Sequence, residues 1–510
     1  MGVILLGAFL RMGNLGASSA WHDYDEGVHL TATLMNSKGM TLYRDFFFAH
    51  PPLIVYMLTP LARYGGVEAF ASARALSAIL STATLVVLAA AASLTLGRRA
   101  ALLGTLLLAI DGYTVYNSRM VMLEPPVDFF LSLGFLSYIL SRRTTGPHTV
   151  PVFLILSGVA FGCAVGTKLS GAFGVLALIT YCIVARRFRD LGPILPVAAS
   201  TYLLISGPYL MVAPEEFIEQ TVLFHLIRPL DGVPPQERAS WILTSLLNLG
   251  VVWAGLPSLL ISVLLVRHLR RHKFVRSEAY IWVIWALAYI SMYSVTKTFY
   301  GHYIQHLMTP LSYVPGIVVE SVGRVGGSPS RWGAALVNNI LKILSALIGL
   351  AIVMQLGVVA YSAPPLRVNE TPLLVAERLR RIGGEQAAII AFEPIYTFLV
   401  DKFPGNRVAD SYGHMIYVGT GLARQDLWTA LSRYLNGTLY SGWPIYAEEA
   451  QRDMLMGILS SDVVLIDWRA RWQLTSESMN LVYLNSAPAY VVSDIEIRIM
   501  HRQNSSLSTS

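Results

Sequence analysis

The sequence predicts an α-helical polytopic membrane protein of about eleven transmembrane helices, followed by a C-terminal extracytoplasmic α/β domain. Composition is the first sign. Of 510 residues, 54% are hydrophobic and 14% charged, whereas a soluble domain carries roughly a quarter charged residues. Mean hydropathy is +0.53. The second sign is run length. Segments such as 192–213, 241–266 and 279–296 continue almost without charge, and about twenty such residues are enough for a helix to cross ~30 Å of hydrocarbon. The third is the alternation of arginine-rich and acid-bearing loops, which assigns the loops to the two sides of a bilayer.

Apolar runs lie near residues 2–17, 69–96, 100–117, 124–141, 150–166, 170–185, 192–213, 241–266, 278–296, 305–323 and 334–362. With the N-terminus cytoplasmic, the inside loops hold Arg98 and Arg99, Arg142 and Arg143, Arg186, Arg187 and Arg189, the run from Arg267 to Arg276, and Arg324 with Arg331. The outside loops hold Asp23, Asp25, Glu26, Asp45, Glu124, Glu215, Glu216, Glu219, Asp231 and Glu237. One missed span would invert every loop after it, so this agreement along the chain supports the topology.

Residues 1–362 form the transmembrane domain in this reading. Its long first outside loop, 18–68, contains two short stretches, 28–37 and 51–64, that read as helices with one apolar side, lying along the membrane surface. An odd number of spans leaves 363–510 outside, long enough for a core of its own. Thr371 and Pro372 read as the N-cap and first residue of a helix with Leu373, Leu374, Ala376, Leu379 and Ile382 on its apolar face. Residues 387–392 and 462–467 are short apolar runs bounded by polar residues, the pattern of buried strands, and 446–459 reads as helix. Glycosylation sequons at Asn369, Asn436 and Asn504 fall only in this part, which suits an outside location.

The formal charge of +7 raises nucleic acid as a partner. The basic residues do not cluster as a nucleic-acid face requires; they sit in short loops, where they orient a membrane protein. Cys163 and Cys182 fall within apolar segments, where packing accounts for them. Residues 1–10 are too short and too weakly flanked for a signal peptide and read as the start of the first span.

Adjacent carboxylates just beyond a first span are costly to place in lipid, so Asp25 and Glu26 belong in water at its edge. Other polar groups fall at the same outside ends: Arg44 and His50, Arg119 and Glu124, Lys168, and Lys297, His302, Tyr303 and His306. Carboxylates and cations offered together suit attack by a hydroxyl on a carbon that bears a phosphate leaving group. A carboxylate takes the proton, and arginine or lysine stabilises the charge growing on phosphate. Plainer readings stand beside this one. Arg44, Lys168 and Lys297 could snorkel to headgroups, Arg119 and Glu124 could pair with each other, and His50, His302 and His306 could be satisfied core groups. Asp25 could cap the following helix. Asp25, Glu26 and His29 could hold a divalent metal ion.

With YDEG at 24–27, YRDFFFAHPPL at 43–53, SRMVMLE at 118–124, GTKLSG at 166–171 and the His302–Tyr303 region, the chain resembles the GT-C superfamily of polyprenyl-phosphate-sugar-dependent glycosyltransferases. It is most similar to the branch of protein O-mannosyltransferases and lipid A aminoarabinose transferase, over residues 1–325. The resemblance implies that Asp25 is the catalytic base with Glu26 as its partner. It further implies that Arg119 and Lys168 meet the lipid-linked phosphate, and that Glu124 is the acid at the start of the fourth span. The tail lacks a cysteine pair and a Trp-Trp-Asp signature, which argues against an oligosaccharyltransferase.

The expectation is an integral membrane inverting glycosyltransferase that moves one sugar from a polyprenyl- or dolichyl-phosphate donor to an extracytoplasmic protein, lipid or glycan acceptor, with no nucleic-acid partner. Its rival is a membrane transporter or flippase of lipid-linked sugar, in which polar residues within spans, such as Arg74, Asp111, Glu320 and Lys342, line a path.

Overall fold

The computed structural model describes the chain apart from residues 20–21, 234–235, 239, 241–254, 261, 263–276, 326–330, 362–367, 383–386, 406, 425–427, 430–431, 434–435, 437–442 and 502–510. The protein is predominantly helical. It divides into two compact units, each assembled from separated stretches of sequence. One holds Met1–Gly13, Arg74–Gly207 and Leu230–Leu366, and the other holds Asn14–Ala73, Pro208–Pro229 and Arg367–Ser510.

Among the described residues, three helices are long and apolar enough to cross a membrane: Gly66–Thr95, Thr149–Thr167 and Phe188–Val212. Leu203 and Leu204 are exposed on the last of these, a face that lipid accepts and water disfavours. In the first unit, helices Glu124–Ser141 and Thr149–Thr167 pack together. Small residues let them approach closely, as in membrane bundles. A Cβ added at Gly134 would lie 3.0 Å from the Phe161 ring, and Ser157 Oγ donates to Gly134 O at 2.9 Å. The core around them is aromatic. Phe135 meets Trp285 at 4.5 Å between ring centroids, and Trp282 stacks on Tyr313 at 4.6 Å. The Trp282 indole N–H finds Thr95 Oγ at 3.0 Å, the polar partner a buried tryptophan needs.

The run at 100–117 is not one continuous helix. It divides into Arg98–Ala109 and Gly112–Ser118, and Asp111 between them caps the second piece, accepting from Thr114 N at 2.8 Å and Thr114 Oγ at 2.6 Å. A break leaves carbonyls of the preceding turn without helical partners. Buried Arg11, on helix Gly2–Met12, donates to two of them, Leu108 O at 3.0 Å and Ala109 O at 2.8 Å. Asp111, one of the two acids read as lying within spans, is therefore a helix cap. The run at 305–323 likewise forms two helices, Gln305–Leu311 and Val314–Val325, with Pro310 near the break. Helix Tyr280–Val295 packs on Ala172–Val184, and Arg331–Tyr361 covers the final run. Most of the 241–266 run and the basic loop from Arg267 to Arg276 lie outside the described residues.

The second unit contains a four-stranded mixed sheet in the spatial order Ile389–Ala391, Val463–Ile466, Ile495–Met500, Ser486–Val492. The first pair is parallel and the other pairs antiparallel, with Val464 opposite both Ile390 and Arg498. Val463–Ile466 is buried at every position, as a central strand covered on both faces should be. The helices read at 371–382 and 446–459 are present as Thr371–Ile382 and Glu448–Leu459.

The core of this unit is composite. Phe47 and Ala49 from the first loop, Leu223, Phe224 and Ile227, and Ile390, Phe392, Met415 and Ile466 form one buried cluster. Helix Tyr24–Ser37 starts a turn earlier than the 28–37 read from sequence and is buried from Glu26 to Met35. It does not present one open side along its length. Its polar positions, which read as a solvated side, are satisfied inside: Thr31 Oγ donates to Pro394 O at 3.0 Å and Thr33 Oγ to His29 O at 2.8 Å. Gly27 permits the packing, because a Cβ there would lie 2.7 Å from Ile395 N. Helix Leu53–Ala62 occupies the second stretch.

Candidate functional site

The carboxylate turn lies at the start of helix Tyr24–Ser37. Asp23, not Asp25, is its N-cap: Asp23 Oδ1 accepts from Asp25 N at 3.0 Å. This leaves the Asp25 and Glu26 side chains in the first helical turn, where the helix dipole favours negative charge. Asp25 is half-buried, whereas Glu26 is buried and lies 4.0 Å from His22 Nδ1. Burial pushes the Asp23 carboxyl up to about 7, reinforced by the charges of Asp25, Glu26 and Glu393.

Several of the neighbours come from the tail of the chain. Arg469 Nε donates to Glu393 Oε2 at 2.7 Å, and its guanidinium lies 4.2 Å over the Tyr24 ring. Tyr24 OH donates to Asp410 Oδ1 at 2.8 Å. Burial raises the Glu393, Asp410 and Asp467 carboxyls above the ordinary carboxylate range. The YDEG stretch is thus surrounded by ionisable groups that sequence reading did not connect to it. No local pattern could have done so, since the partners lie at the far end of the chain. The only hint was the polar boundary at Asp467 after an apolar run.

His50 joins a separate stack in the same unit. Its ring lies 5.6 Å from that of His225 and 5.9 Å from that of His29. His225 Nε2 lies 2.7 Å from Ala49 O. Arg44 is exposed and ion-paired to its neighbour, with Nε 2.9 Å from Asp45 Oδ1. That hydrogen bond and the Thr41 N–H hold the Asp45 carboxyl down to about 2. Among the described residues, no three or more His, Cys, Asp or Glu side chains are arranged to hold a metal ion, so the Asp25, Glu26 and His29 spacing does not form such a group.

In the other unit, Glu124 opens helix Glu124–Ser141 and is buried, with Lys168 Nζ 2.6 Å from its Oε1. Lys168 ends helix Thr149–Thr167 in an extended conformation, which turns its ammonium to within 4.1 Å of the Tyr303 ring centroid. His302 Nε2 lies 4.0 Å from the same Glu124 oxygen, and its backbone carbonyl accepts from Asn117 Nδ2 at 3.1 Å. The Tyr303 carbonyl is held by Tyr293 OH at 2.6 Å. Four of the residues picked from sequence, Glu124, Lys168, His302 and Tyr303, therefore meet.

Arg119 is buried and donates to Gly13 O and, at 3.4 Å, to Leu10 O at the end of the first helix. Lys297 offers its carbonyl to Arg238 Nη2 at 2.8 Å. An ammonium beside an aromatic face and a buried carboxylate is a rigid, partly desolvated cation that can meet a phosphate oxygen. A carboxylate at a helix start is placed to accept a proton.

The family described as dolichyl-phosphate-mannose-protein mannosyltransferase matches residues 44–212. The undecaprenyl phosphate-alpha-4-amino-4-deoxy-L-arabinose arabinosyl transferase of Yersinia pestis (strain Pestoides F) is 23% identical over 244 residues, which is 46% of this chain and 42% of that protein. The protein of the same name from Edwardsiella ictaluri is 23% identical over 257 residues, 49% of this chain and 45% of its own. The chain thus spans less than half the length of these curated relatives.

Among solved structures, ArnT from Cupriavidus metallidurans in the apo state matches with a TM-score of 0.64 at 14% identity, over 98% of this chain and 96% of that one. The same protein bound to undecaprenyl phosphate gives a TM-score of 0.63 at 15% identity, with the same coverage. At such identity the likeness is one of fold. In sequence and in fold, the chain is similar to the GT-C glycosyltransferases of the protein O-mannosyltransferase and aminoarabinose transferase branch.

Proposed function

We propose that this chain is an integral membrane inverting glycosyltransferase that moves a single sugar from a polyprenyl or dolichyl phosphate to an extracytoplasmic acceptor, whether a protein hydroxyl, a lipid or a glycan. The observation that carries this reading is the Lys168 ammonium, held between buried Glu124 and the Tyr303 ring with His302 beside them. Ionisable groups at membrane depth are expensive and mark functional sites. A lysine so placed suits the phosphate of a lipid carrier, and the names of the curated relatives specify undecaprenyl phosphate.

In the proposed step the acceptor hydroxyl attacks the sugar carbon that carries the phosphate. The new C–O bond forms as the bond from that carbon to the phosphate oxygen breaks. Asp25 accepts the hydroxyl proton, with Glu26 as its partner. The electron pair leaves with the phosphate, whose growing charge Lys168 and Arg119 stabilise. Glu124, His302 and Tyr303 hold the lysine end of the donor site, and Arg44, His50 and Lys297 belong to the wider substrate-binding set. The proposed topology has about eleven spans, a cytoplasmic N-terminus and residues 363–510 outside, where they shape the acceptor site.

The test is reconstitution in liposomes with defined undecaprenyl- and dolichyl-phosphate sugars and a cell-surface extract. Mass spectrometry should find sugar transferred to an acceptor and free lipid phosphate released. Movement of intact lipid-linked sugar between leaflets, with no cleavage, would instead establish the flippase reading.

A further inference from the structure

Next to Lys168 runs a buried hydrogen-bonded chain that the proposed reaction leaves unused. Asp128 lies one turn after Glu124 on the same helix and is buried, as is His306. His306 Nδ1 is 2.6 Å from Asp128 Oδ1, while Asp128 Oδ2 accepts from Thr309 Oγ at 2.7 Å and Gln305 Nε2 at 3.1 Å. The opposite imidazole nitrogen, Nε2, is 3.3 Å from Ser170 Oγ. Tyr289 braces the chain, its ring stacked on His306 at 5.0 Å and its hydroxyl donating to Ser170 O at 3.1 Å. Ser170 itself is only partly buried, two residues beyond Lys168 in the turn between the two helices.

A carboxylate accepting on Oδ1 places an imidazole proton on Nδ1, and Nε2 then faces Ser170 Oγ and fixes where that oxygen sits. A tie between helices needs no such ordering and no partly exposed end. We propose that Ser170 is a further binding residue for the phosphate of the lipid donor, with Asp128 and His306 as positioning residues that set its hydroxyl. The proposal rests on the polyprenyl-phosphate reading of the Lys168 site and adds a neutral hydrogen-bonding group to the charged one. No covalent step is involved. With Oγ held by the imidazole, the hydroxyl hydrogen is given to a phosphate oxygen, and Ser170 and Lys168 engage it from one turn of chain.

The test measures equilibrium binding of undecaprenyl phosphate to the full chain in nanodiscs, together with KM and kcat for the undecaprenyl-phosphate sugar. A hydrogen bond to a charged group contributes about 1.5–3 kcal/mol, so Ser170→Ala should weaken undecaprenyl phosphate roughly tenfold or more and raise KM for the donor. Ser170→Thr, which keeps the hydroxyl, should restore most of the affinity. Asp128→Asn should reproduce the alanine phenotype in KM. Should it fail to fold, His306→Gln, which keeps a polar group at that place, takes over that comparison. Unchanged affinity and KM in a folded Ser170→Ala protein would overturn the proposal and leave the chain as a structural tie. Absence of undecaprenyl phosphate binding by the unaltered protein would instead remove the donor reading, and this proposal with it.

Discussion

At the scale of single residues, the decisive feature is charge held where it is costly. Glu124 and Lys168 balance each other at 2.6 Å, and removing one leaves the other buried and uncompensated. Lys168→Met should therefore cost about 3 kcal/mol of stability, read as a lower thermal midpoint in detergent. The double variant Glu124→Gln with Lys168→Met should recover part of that loss, because the two effects are not additive; strict additivity would show that the pair is not coupled. Asp23 makes a pH prediction. Its folded carboxyl lies at about 7 against an ordinary 3.8, so between these values the unfolded chain is ionised while the folded chain keeps the proton. Stability should fall as pH rises through that window and level off above it. Asp23→Asn keeps an oxygen for the cap and should flatten the decline, whereas parallel curves for variant and parent would contradict the assignment. The sequence made Asp25 and Glu26 legible because they are adjacent acids beyond an apolar run. It could not show that Asp23 is the cap, since both aspartates precede the same helix at workable spacing.

At the scale of elements, periodicity and run length located most helices but not their interruptions. The run at 100–117 was legible as an apolar run, yet its division at Asp111 and the role of Arg11 as donor to the freed carbonyls depend on packing between distant helices. The strands at 389–391 and 463–466 were readable from short apolar runs, whereas pairing of the latter with 495–500 was not, because register is set by long-range packing. Helix Tyr24–Ser37 is the clearest departure. Its threonines and histidine imitate a wet side, and the segment at 394–399 that covers them lies far along the chain. Gly27→Ala tests that packing. A Cβ 2.7 Å from backbone Ile395 N must displace one element, at a cost of about 1–3 kcal/mol. Limited proteolysis should then cut the 367–510 segment faster than in the parent, and an unchanged digestion rate would mean the contact is not close-packed.

At the scale of the whole molecule, charge alternation and composition carried the membrane reading further than any local motif, because lipid penalises misplaced charge at every span. The proposed topology places residues 363–510 outside. A single cysteine placed at exposed Leu484, with Cys163 and Cys182 replaced, should react in intact cells with a membrane-impermeant maleimide; labelling only after lysis would invert the proposed topology. Neither signal foretold that the first loop would share a core with the tail, since hydrophobic residues carry no address for their partners. The most direct measurement is turnover of a defined polyprenyl-phosphate sugar by purified Asp25→Asn protein that still binds undecaprenyl phosphate. Loss of transfer with donor binding intact is the predicted result, and transfer at the parent rate would contradict the assignment of Asp25 as the base.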